Sequence, residues 1–168
     1  MNAATNAQLI DAFEFCRTGS TRDGLTPVAE MERLARDCAA STGELSWSVA
    51  GGTSKHGFPR MDVTVAGTVQ LECQRCLQPF AYAIDSATVL MLGEDDAKAD
   101  EIEEVIDDES IDVIVGTRSM NLMDLIEDEA LLALPQAPKH DVCPDGSSLD
   151  VLASDRKSPF DALKALKK

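Results

Sequence analysis

Between Met61 and Cys73 apolar and polar positions alternate: Met61, Val63, Val65, Val69, Leu71 and Cys73 share one face, and Asp62, Thr64, Thr68, Gln70 and Glu72 the other. A period of two is that of a strand with one face buried. Gly67 interrupts the apolar face and predicts a bulge or bend. The stretch ELSWSVA at 44–50 alternates in the same way through Leu45, Trp47 and Val49. The turn-rich GGTSKHGFPR separates the two. A further strand over 80–92 opens on Phe80, Tyr82 and Ile84. LECQRCLQPF at 71–80 therefore sits at the tip of a hairpin.

Two segments carry helical spacing instead. Val28, Met31, Leu34, Ala35 and Cys38 fall on one face, and Thr26 as N-cap with Pro27 at the first helical position predicts a helix over 27–40. MNLMDLIEDEALLALP predicts a second helix over 120–134, with Leu122, Leu125, Ile126, Ala130, Leu132 and Leu134 as its apolar stripe and Pro135 as its stop. Leu125, Ile126 and Leu132 are expected to be buried against the sheet. Asp124, Glu127 and Asp128 lie nearer the helix start, where the macrodipole favours anions. Residues 1–25 read as an irregular arm. The sum is an α+β fold: a curled antiparallel β-sheet with two main helices packed on it and an irregular C-terminal tail. A single domain is expected over 1–140 and the tail over 141–168.

Charge narrows the function classes. The chain carries 30 acids against 15 bases, a net −15. Residues 94–112 hold eleven acids and one lysine, and 94–110 reads as an acidic loop that leads into a strand at Ile111, Val113 and Val115. Such a surface repels phosphate backbones and steers basic partners towards it. Glu101, Glu103 and Glu104 are the candidate docking residues for a basic partner, ribosomal proteins being one such class. Few aromatic side chains are available as stacking platforms for bases. MNAATNAQLIDAF has no basic n-region, and no apolar run approaches the roughly 18 residues of a membrane span, so a cytoplasmic protein without membrane contact is expected. Five cysteines, an odd number, argue against a pure disulfide framework.

The chemistry-bearing candidates are Cys73 and Cys76, which a C-x-x-C turn presents together at the reach of a tetrahedral ion. His140 and Cys143 repeat the spacing and complete a Cys3His set, with zinc the one candidate cofactor. No glycine follows Cys76, which counts against a zinc knuckle; reduced thiols at a hairpin end are the alternative. A thioredoxin-type pair would open a helix, whereas a strand follows here. Arg75 with Lys139 and His140 forms a small basic island, and Arg156, Lys157, Lys164, Lys167 and Lys168 form another near the C-terminus. No nucleophile elbow, phosphate-binding loop or H-E-x-x-H motif is present, and no catalytic residues are assigned.

Three blocks together resemble the large ribosomal RNA subunit accumulation (YceD) family: LECQRCLQPF at 71–80, LIEDEALLALPQAPKH at 125–140 and SPFDALKALKK at 158–168, in that order over residues 60–168. The resemblance implies a role in synthesis, processing or stability of large-subunit (23S) ribosomal RNA and in ribosome assembly, without a defined enzymatic activity. It also places Arg75, Glu127 and Asp128 in family-like blocks, as further candidate partner or RNA contacts. The alternatives are a zinc- or thiol-dependent enzyme acting on RNA, and a pure protein-binding adaptor.

Overall fold

The computed structural model describes residues 9–108 and 110–144. Its elements are β1 (Leu9–Ile10), α1 (Ala12–Thr18), β2 (Thr21–Pro27), a 3-10 turn at Val28–Glu30, α2 (Glu32–Asp37), β3 (Glu44–Thr53), β4 (Pro59–Glu72), β5 (Pro79–Gly93), α3 (Asp96–Ile106), β6 (Ile111–Val115), β7 (Met120–Asn121) and α4 (Leu122–Leu132). The fold is α+β. An open, curled five-stranded sheet runs in the order β2-β3-β4-β5-β6, and β1 pairs with β7 in a separate ribbon.

The sheet is antiparallel from β2 to β5, and β6 then joins β5 in parallel. A parallel neighbour needs a crossover, and α3 supplies it. Residues 96–106 are therefore a helix rather than part of an acidic loop. Asp95 caps it, Oδ1 accepting from the Lys98 amide at 2.8 Å, and Ile102 is fully buried beneath it. The signal was a capping aspartate with Ile102 and Ile106 at helical spacing, masked by the density of acids.

The N-terminal arm also corrects the expectation. Asp11 caps α1 through Oδ1, which accepts from the Phe13 and Glu14 amides at 3.1 Å. Gly19, at φ +63°, closes the helix in the left-handed region. Thr26 and Pro27 do not start a helix. They end the edge strand β2, and the Thr26 hydroxyl accepts from the Trp47 indole at 2.9 Å instead of capping. A proline without an N–H is tolerated at an edge-strand terminus, and the helix is reduced to Glu32–Asp37.

The β4 pattern is realised in full: Met61, Val63, Val65, Val69, Leu71 and Cys73 are all buried. Gly67 pairs in register with Leu45 and Ile84, so no bulge forms. The glycine serves close approach, because a Cβ there would stand 2.6 Å from the Glu44 carbonyl and 2.6 Å from Leu45 Cδ2.

Ala12, Phe15 and Cys16 of α1 and Leu122, Ile126 and Ala130 of α4 join the same core as β4. Leu132 does not, being 78% exposed. At about 100° per residue it lies about 160° round the helix from Ala130, so the expected stripe was drawn too wide. Met91 and Gly93 alternate onto the opposite side of β5, where α3 packs with Ala99 against Gly93. No described helix is long and apolar enough to cross a membrane.

Candidate metal centre

The β4–β5 hairpin ends in a turn built by its own backbone. Cys73 N–H donates to the Gln78 carbonyl at 3.0 Å, and Leu77 N–H donates to the Cys73 carbonyl at 2.8 Å. Leu77 takes φ +59°. That is the left-handed conformation a glycine would supply after a knuckle. The missing glycine therefore did not prevent the turn, because a leucine adopts its conformation.

After α4 the chain returns to this tip. Gln74 N–H donates to the Pro138 carbonyl at 2.9 Å, which brings the following residues alongside. The ligand atoms of Cys73, Cys76, His140 and Cys143 all lie within 4.8 Å of one another. The Cys73 and Cys143 sulfurs are 3.8 Å apart, and Cys76 Sγ is 3.3 Å from His140 Nδ1. A tetrahedral zinc with Zn–S bonds of about 2.3 Å separates its sulfurs by about 3.8 Å and a sulfur–nitrogen pair by about 3.6 Å. The four residues thus fit a zinc ion by number, donor type and spacing.

The surroundings suit thiolates. Burial pushes the Cys73 thiol up, but the backbone N–H groups of His140, Cys76 and Arg75 outweigh it and bring the thiol down to about 5. His140 N–H approaches the Cys73 sulfur at 3.4 Å. Cys76 is held above the usual thiol range, by burial first and then by the neighbouring Cys143 and Cys73 sulfurs. Sulfurs that oppose one another's ionisation are what a divalent cation relieves.

Arg75 closes the outer side. Its Nε donates to Cys143 Sγ at 3.0 Å and its Nη2 to the His140 carbonyl at 2.8 Å. The His140 ring packs against Phe80, centroids 5.0 Å apart. Such outer contacts fix a ligand's orientation. Phe80 was not anticipated as part of the site, although it closes the LECQRCLQPF block.

The structure separates the other predicted residues from this cluster. Glu101, Glu103 and Glu104 are exposed on α3, and Glu101 pairs with Lys98 at 2.8 Å. Glu127 is not a free contact. It is buried, its Oε1 accepts from the Arg33 and Leu34 amides at 2.7 and 3.0 Å, and its Oε2 pairs with the Arg33 guanidinium at 2.9 Å. Asp128 beside it also pairs with Arg33. Arg75 and Glu127 therefore serve different junctions, one at the hairpin tip and one between α2 and α4. The basic cluster near the C-terminus lies outside the described residues.

The family model described as "Large ribosomal RNA subunit accumulation protein YceD" matches residues 61–167. No solved structure matches the chain.

Proposed function

The chain belongs to the large ribosomal RNA subunit accumulation protein YceD family, and on that footing we propose that it is a non-catalytic cytoplasmic factor for accumulation of large-subunit (23S) ribosomal RNA, organised by a structural zinc at the hairpin tip. The observation that carries this reading is the donor set: the ligand atoms of four residues, Cys73, Cys76, His140 and Cys143, all lie within 4.8 Å of one another. Structural zinc sites are closed in this way, whereas catalytic ones keep a position for water or substrate. The ion's part is to fasten the segment after α4 to the tip of β4–β5.

The acids supply the contact. Glu103 and Glu104 stand exposed on α3 of a chain with net charge −15, which suits a basic ribosomal protein or assembly factor and opposes naked RNA. Ribosomal RNA is then affected through that partner. The test is sedimentation of ribosomal particles with the purified protein, beside incubation with precursor rRNA alone. Co-migration with large-subunit precursors, loss of it in Glu103→Gln/Glu104→Gln, and intact precursor rRNA support the reading. Cleavage of the precursor by the protein alone, or nanomolar binding of naked rRNA at physiological salt, overturns it.

A further inference from the structure

A groove of about 810 Å³ runs beside β6, between the end of α3 and α4. Ile111, Val113, Leu125 and Leu132 contribute its apolar surface, and Asp107, Asp108, Asp112 and Asp128 its acidic rim. β6 is an outer strand, paired only with β5 among the described residues. Outer strands of natural sheets are normally short, charged or covered, and a leucine as exposed as Leu132 at the mouth of an apolar groove points to a cover.

We propose that residues 158–168 of this same chain, SPFDALKALKK, seat in this groove. Two observations favour that occupant. The first is complementarity: Phe160, Leu163 and Leu166 match an apolar surface, and Lys164, Lys167 and Lys168 match an acidic rim. The second is reach. The described chain ends at Pro144, next to the cluster at the hairpin tip. Leu132 is joined to that tip by the six residues to Pro138, which bonds Gln74, so groove and tip are at most about 20 Å apart. Residues 145–157 span up to about 45 Å when extended, more than enough. Tethering at this length presents the segment at roughly millimolar effective concentration, ahead of a free peptide of equal affinity. The metal centre then anchors one end of a strap whose other end fills the groove.

The test compares hydrogen exchange at Ile111–Val115 and the methyl resonances of Leu125 and Leu132 in the full chain and in Phe160→Asp/Leu163→Asp. Both positions lie outside the described residues, and an unchanged far-UV circular dichroism spectrum confirms that the described fold persists. We expect about tenfold faster exchange along β6 and shifted leucine methyls in the variant, with both effects reversed by a synthetic peptide of residues 158–168. Identical exchange and shifts in the two proteins would overturn the proposal. So would protection that rises with protein concentration, which indicates a second copy, or protection that appears only with an added basic peptide of another sequence.

Discussion

The sulfurs of Cys73 and Cys143 stand 3.8 Å apart, although 70 residues separate them in the chain. One belongs to the end of the longest apolar alternation in the sheet and the other to the segment after α4. Their separation matches the sulfur–sulfur edge that a tetrahedral zinc site would have and is well beyond the roughly 2.05 Å of a disulfide. Cys143→Ser should lower zinc affinity by at least about a hundredfold, and Arg75→Ala, which removes a contact to Cys143, by about 10–100-fold. A competition titration with a colorimetric chelator measures both. Equal affinity in wild type and Cys143→Ser would remove Cys143 from the ligand set.

Leu77 holds φ +59° with its side chain 67% exposed, so it gains little packing for an unfavourable backbone. A left-handed conformation costs an L-residue roughly 1–2 kcal/mol, and glycine gives back part of the relief as chain entropy. Leu77→Gly should therefore be neutral to stabilising, by up to about 1 kcal/mol, whereas Leu77→Val should destabilise by at least about 1 kcal/mol. Urea unfolding of the three proteins decides this.

Burial pushes the Glu127 carboxyl up, yet the Leu34 amide and the Arg33 side chain and amide together hold it below the usual carboxylate range. The unfolded chain, with a Glu value of about 4.3, then binds the proton more readily than the folded one. The stabilisation is complete above that value and is lost as pH falls through the lower folded value. Glu127→Gln should cost about 2–3 kcal/mol at pH 7. The gap from wild type should narrow below about pH 4.3, as the native carboxylate takes up its proton. A constant gap from pH 7 to pH 3 would mean that the pair contributes through shape alone.

Ile126 and Leu132 occupy one helix and opposite situations, the first fully buried and the second exposed. Ile126→Ala should cost about 2–5 kcal/mol. Leu132→Ala, which opens no cavity in this core, should cost less than Ile126→Ala. Chemical denaturation of the two variants reports the difference directly.

What the sequence made legible follows from the strength of each local signal. The β4–β5 hairpin was readable because its period of two runs over Met61–Cys73 with Gly67 its one gap, and the cluster of Cys73, Cys76, His140 and Cys143 because C-x-x-C and H-x-x-C repeat one spacing. α3 was hidden by its acids: the five within it and the two capping aspartates, Asp95 and Asp107, outweigh the short apolar register of Ile102 and Ile106 that packs it on the sheet. The start of the first predicted helix failed because tertiary pairing overrode a local cap, Thr26 and Pro27 being drawn into β2 opposite Leu45 and Glu44. Leu77 carried no signal, since nothing in its neighbours announces a left-handed leucine. The pairing of Glu127 was not legible, because a charged residue on a helix looks exposed until its partner, Arg33, is brought 94 positions along the chain to meet it.

The most direct measurement is the metal content and X-ray absorption spectrum of the reduced full-length protein, purified without chelators. The geometry of Cys73, Cys76, His140 and Cys143 predicts one zinc per chain, bound by three sulfurs at about 2.3 Å and one nitrogen at about 2.0 Å. A protein that holds no stoichiometric metal, and whose melting temperature is unmoved by zinc or by its removal, would contradict it.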